Sequence, residues 1–86
     1  MLEFAHAVAI ALAERLDGPA PTRCGVIAPG WWLGGFGDPA VSVHSDGCMV
    51  VWNGTEVCGL CTPAQLADPS FDPEPWLEDV IRKLYA

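Results

Sequence analysis

Residues 41–60 read VSVHSDGCMVVWNGTEVCGL, and this stretch decides the fold. Val41–Ser45 and Cys48–Trp52 flank Asp46-Gly47, while Cys48–Trp52 and Thr55–Leu60 flank Asn53-Gly54. Asp-Gly and Asn-Gly between apolar runs are strong hairpin signals, because a tight two-residue turn needs positive φ at both central positions. The pattern predicts a three-stranded meander in which Ser45 faces Cys48 and Trp52 faces Thr55. In that register Val41, Val43, Cys48, Val50, Trp52 and Val57 share the core face. Ser42, His44, Met49, Val51, Glu56, Cys58 and Leu60 share a mixed face that is solvated, covered or a contact surface.

Upstream, Arg23–Ala28 reads as a first strand ended by Pro29. The loop from Pro29 to Pro39 then mixes four glycines with Trp31, Trp32 and Phe36. Before it, residues 2–17 carry Phe4, Ala5, Val8, Ala9, Leu12 and Leu16 at helical spacing, with Gly18 as the expected left-handed stop. Downstream, Thr62-Pro63-Ala64-Gln65 has the form of a capping box and predicts one helical turn. A last helix starts at Asp72 as N-cap with Pro73 and Glu74 behind it, and Phe71 is placed to staple on Trp76. Leu77, Val80, Ile81 and Leu84 form its apolar stripe, and Glu78–Arg82 and Asp79–Lys83 are pairs four apart. The expected order is α-β-β-β-β-α, an α+β two-layer sandwich whose antiparallel meander sheet is covered on one face by two helices. One domain over residues 1–86 is expected from the length.

Composition narrows the function. Eleven acids against four bases give a charge of −7, and no base lies between Arg23 and Arg82, an interval with eight acids. Nucleic-acid affinity comes mainly from Lys and Arg on phosphates, so direct nucleic-acid binding is not expected. Anionic membranes are disfavoured for the same reason, and no apolar run approaches the roughly 18 residues of a spanning helix. A partner with a basic surface would be attracted instead. The N-terminus has Glu3 where a secretory signal carries Lys or Arg, so a cytoplasmic protein with reduced thiols is expected. One Lys, one Asn and one Gln beside abundant Ala, Gly, Pro and Val suit a GC-rich genome, such as that of an actinobacterium or one of its viruses.

Few residues suggest chemistry. Cys58-Gly59-Leu60-Cys61 is a CxxC, half of a zinc site or a redox pair, with Cys24 or Cys48 as further donors. It lacks a second knuckle and a nearby base, and a free cysteine ordinarily behaves as a small buried hydrophobe. His44 shares a row with Met49 and Cys58 in the expected register, and its distance from Cys58 is then about 10 Å, beyond a hydrogen bond. His6 stands alone on the flank of the first helix. Glu74, Glu78 and Asp79 crowd a helix start, where the macrodipole accounts for them. Gly34-Gly35-Phe36-Gly37 lacks the spacing of a P-loop or a dinucleotide fingerprint.

These readings favour a small acidic, non-enzymatic interaction protein without a cofactor. The expected kind is an accessory, host-modulating or virion component. Its expected contacts are Trp31, Trp32, Leu33 and Phe36 of the glycine-rich loop and Asp68, Phe71, Asp72 and Glu74 of the acidic segment. The partner is a protein, or a second copy in a homo-oligomer. The alternative is a zinc or thiol-redox module built on Cys24, Cys58 and Cys61.

Overall fold

The computed structural model describes residues 1–24, 29–33, 39–54 and 56–85. Helix α1 (Leu2–Arg15) is followed by strands β1 (Thr22–Cys24), β2 (Gly30–Trp32), β3 (Pro39–Val43), β4 (Met49–Asn53) and β5 (Glu56–Cys61). Two helices close the chain, a short α2 (Pro63–Ala67) and α3 (Pro73–Tyr85). The strands form one antiparallel sheet in the order β1-β2-β3-β4-β5. The α+β architecture is the expected one, with one strand more. Gly30–Trp32, expected as loop, pairs with β1 and β3 and so joins the meander to the first strand. Residues 25–28, the rest of the expected first strand, lie outside the described residues.

The register differs from the expected one by a single residue, and this decides which face is buried. His44 N donates to Cys48 O at 2.9 Å and Gly47 N donates to His44 O at 2.9 Å. The turn therefore has three residues, Ser45, Asp46 and Gly47, and needs positive φ only at Gly47, where φ is +87°. A two-residue Asp-Gly turn would need it at Asp46 as well. Asp46 stays out of that region and uses its carboxylate instead, accepting from Cys48 N at 3.0 Å. Val43 then pairs with Met49 and Val41 with Val51. A slip of one residue sends every side chain of a strand to the other face.

The second hairpin also shifts. Asn53 pairs with Glu56, and a bulge beside Val51 and Trp52 then brings Gly59 opposite Val51 and Cys61 opposite Met49. The core face thus carries Val41, Val43, Met49, Val51, Cys58 and Cys61, all buried. Of the residues expected on the core face, only Val41 and Val43 are there. Trp52, Val57, Val50 and Cys48 occupy the opposite rows with Ser42 and Leu60.

Helix α1 lays Ala5, Val8, Ala9, Leu12 and Ala13 on β2 and β3. Small side chains let it come close. Its end is a Schellman motif in which Gly18 N donates to Ala13 O at 3.0 Å and Asp17 N to Glu14 O at 3.1 Å. Asp17, with φ 57°, takes the left-handed position expected of Gly18. Helix α3 packs on β5 and α1 through Val80 with Trp76, Leu77, Ile81 and Leu84. Gly59 permits this approach, since a Cβ there would stand 2.6 Å from Val80 Cγ2. Trp76 Nε1 donates to Leu60 O at 3.2 Å, and Tyr85 Oη donates to Arg15 O at 2.8 Å.

The caps form as expected. Thr62 Oγ1 accepts from Gln65 N and Asp72 Oδ1 from Glu74 N, each at 3.1 Å. The staple runs through α1: Phe71 and Trp76 each pack on Phe4, at 6.2 and 6.1 Å between ring centroids. Asp79 pairs with Lys83 at 3.0 Å, as expected. Arg82 also turns to Asp79, at 3.5 Å, while Glu78 reaches Arg15 at 3.6 Å, so the expected Glu78–Arg82 pair is replaced.

Candidate functional site

Helices α1 and α3 lie on one side of the sheet, and the outward rows are left without a covering element among the described residues. One row runs Trp32, Ala40, Trp52 and Val57 across β2 to β5. The next runs Gly30, Ser42, Val50 and Leu60. Trp32, Val57 and Leu60 are 45%, 54% and 49% exposed. A groove of about 550 Å³ lies between the Ser45–Cys48 turn and β5, walled by His44, Cys48, Val50, Trp52, Val57 and Leu60. The exposed apolar side chains of this face stand in neighbouring rows, while Val50 between them is buried.

A short polar chain fixes the middle of this face. Trp52 Nε1–H donates to Ser42 Oγ at 2.9 Å, and Ser42 Oγ lies 3.1 Å from His44 Nε2. The His44 and Trp52 rings are 6.4 Å apart and tilted. The Ser42 hydroxyl has one donor and two acceptor sites, so it accepts from the indole and still exchanges a hydrogen bond with His44 Nε2 in either ring tautomer. This clamps the Trp52 ring against the sheet. It also places a serine beside a histidine, the first two parts of a nucleophile. The third part is lacking: among the described residues no carboxylate hydrogen-bonds the His44 ring. His44 stands on the outward face, whereas Met49 and Cys58, its expected row partners, point into the core.

The thiols are poorly disposed to react. Cys58 and Cys61 are buried, and burial is the main cause that pushes both pKa values up, with Glu56 adding to it at Cys58. Burial first and Asp46 second raise Cys48. The thiolate is the nucleophile, so each of these shifts disfavours the reactive form. Among the described residues, no three His, Cys, Asp or Glu side chains converge where they could hold a metal ion. The side chain of Cys24 lies outside the described residues.

The remaining expected contact residues are dispersed. Trp31 and Leu33 are 6% and 1% exposed and belong to the core. His6 stacks on Trp31 at 5.0 Å with 14° between the rings, and the Arg23 guanidinium stands 5.2 Å from the ring centroid. Trp32 alone of the pair faces outward, and Phe36 lies outside the described residues. Phe71 is half-buried on Phe4. Asp68 accepts from Ser70 N and Oγ at 2.9 and 2.8 Å, and these bonds, the backbone one foremost, lower its pKa.

Asp72 and Glu74 line a cleft of about 420 Å³ with Arg15, Leu77 and Glu78. That cleft belongs to the helix layer, so the acidic segment and Trp32 stand on opposite layers and do not form one patch. Three of the four bases are engaged by Glu78 or Asp79, and Arg23 by Trp31. Among the described residues, no helix is long and apolar enough to cross a membrane. Compared with family models, curated proteins and solved structures, the chain matches none.

Proposed function

We propose that this chain is a small acidic, non-enzymatic protein-interaction protein that binds through the open face of its sheet. The observation that carries the reading is that Trp32, Val57 and Leu60 stay about half exposed in two adjoining rows, beside the clamped Trp52. Aromatic anchors held rigid beside a groove are the usual centre of a protein contact. Of the aromatic residues expected in the glycine-rich loop, Trp32 contributes, from strand β2. The acids at the start of α3 supply a second surface, which attracts a basic partner from the helix side. Free thiols at Cys48, Cys58 and Cys61 suit a reducing compartment such as the cytoplasm.

Affinity capture from cells that express the chain tests this. Wild type, Val57→Lys and Glu74→Gln are compared at matched recovery of folded bait. The expected result is a partner retained by wild type, lost with Val57→Lys, and held by Glu74→Gln with altered salt dependence. Equal recovery of every captured protein by wild type and Val57→Lys would remove the face from the account.

A further inference from the structure

We infer that the occupant of the open face is a second copy of this chain, the two sheets packing face to face about a two-fold axis. The inference rests on the reading of that face as a protein-binding surface and names what binds there.

Charge is the first argument. Two copies at −7 each repel one another, so any contact between them must avoid carboxylates. Among the described residues the outward side chains of β2 to β5 include no carboxylate, and the one acid beside them is Asp46, which lines the turn side of the groove. The helix layer has Asp72, Glu74, Glu78 and Asp79 together. The sheet face is therefore the surface through which two copies can meet with their acids outward.

Shape is the second. The face carries a projecting side chain at one end, Trp32 on β2, and a groove at the other, beside β5. A two-fold axis parallel to the strands and between β3 and β4 carries β2 of one copy over β5 of the other. Trp32 then lies over the row of Trp52 and Val57, at the mouth of the groove, and the same contact recurs on the other side. An isologous interface requires such self-complementarity. Sheets packed this way stand about 10 Å apart, which suits interdigitated Trp, Val and Leu side chains.

Area places the contact among the weak ones. A large side chain left half exposed offers on the order of 100 Å². Trp32, Val57 and Leu60, with the partly covered Trp52, His44 and Cys48, offer about 450 Å² per copy on that scale. The total of roughly 900 Å² falls short of the ~1,200–2,000 Å² of stable complexes, so the dimer is a weak one that forms only at high concentration. Salt screens the repulsion between the acidic bodies and leaves the apolar contact, so association strengthens with salt, opposite to a charge-held dimer.

Sedimentation equilibrium of the full chain over about 10 µM to 1 mM, at low and moderate salt, tests this. Ile10, 40% exposed on α1, provides a control for general stickiness. Wild type and Ile10→Lys should rise toward twice the chain mass, more so with added salt. Val57→Lys should weaken association by at least about tenfold while its circular dichroism and urea midpoint stay those of wild type. A monomer at every concentration, or association that Val57→Lys leaves intact, or equal loss with Ile10→Lys, would overturn the inference. If wild type stays monomeric while Val57→Lys still loses a captured partner, self-association fails and the binding face stands.

Discussion

Gly59→Ala is the substitution whose cost follows most directly from how α3 meets the sheet. A Cβ at position 59 would stand 2.6 Å from Val80 Cγ2 and 3.3 Å from the Trp76 ring. Carbon atoms in contact sit at about 3.5–4.0 Å, so the helix or the strand must move by roughly 1 Å. Val80 is β-branched and 1% exposed, which leaves it no rotamer to retreat into. Overpacking of this kind costs about 1–3 kcal/mol. Replacing a strand glycine returns about 0.5–1 kcal/mol of backbone entropy, so the net loss is about 1–2 kcal/mol. In a domain of this size that lowers Tm by roughly 4–16 °C. Val80→Ala alone loses buried methyls and leaves a cavity, at a cost of about 1–3 kcal/mol. The double variant Gly59→Ala/Val80→Ala removes the collision, so its loss should fall short of the sum of the singles by about 1 kcal/mol or more. Urea unfolding at neutral pH measures all four proteins, with the midpoint moving and the slope unchanged. A neutral Gly59→Ala, or strict additivity in the cycle, would refute the packing of α3 on the inward row of β5.

Other consequences follow from the turn, the register and the carboxylates. Asp17→Gly should raise stability by about 0.5–1 kcal/mol in thermal melts, because Asp17 holds a positive φ that glycine adopts freely. Met49→Ala should cost about 2–5 kcal/mol, whereas Val57→Ser should change the stability of the dilute monomer by less than about 0.5 kcal/mol, and the expected-register alternative reverses the two. Backbone N–H bonds, to Cys48 and to Ser70, lower the pKa of Asp46 and Asp68 from the ordinary 3.8. A carboxylate with a depressed folded pKa stabilises the fold above its unfolded value and loses that effect as pH falls through the folded one. Urea midpoints should therefore decline below about pH 4, and Asp46→Asn with Asp68→Asn should flatten that decline.

Much of the architecture was legible in local signals. The helices, the Thr62 and Asp72 caps and the meander each depend on a few neighbouring residues, and each forms in its expected stretch, although α1 puts Asp17 rather than Gly18 in the left-handed position. The turn at Ser45–Gly47 was legible only as a turn. Asp-Gly serves both a two-residue and a three-residue loop, and the choice depends on whether Asp46 takes positive φ or folds its side chain onto Cys48 N. That choice moved every side chain of β4 to the other face. The alternation did not resolve it, because Met49-Val50-Val51-Trp52 is apolar on both sides and gives neither face a polar signature. Trp31 and Trp32 were equivalent in the sequence, and only the pairing of Gly30–Trp32 with β3 sends one to the core and the other outward. Ser42 and His44 as the clamp of Trp52 left no sequence signal beyond their spacing of two, because the indole that they hold comes from ten residues on. Apolar content beyond what one covered face can bury was legible in the sequence, and the register shows which of those side chains, Trp32, Val57 and Leu60, stay exposed.

Dilution of isotopically labelled protein, followed residue by residue by NMR, tests the open face as the surface of self-association most directly. The account predicts that the concentration-dependent shifts gather on the Trp32 and Trp52 indoles and the Val57 and Leu60 amides, with Trp31, Met49 and α3 unmoved. Shifts centred on Asp72, Glu74 and Glu78 would contradict it, as would a spectrum that does not change with concentration.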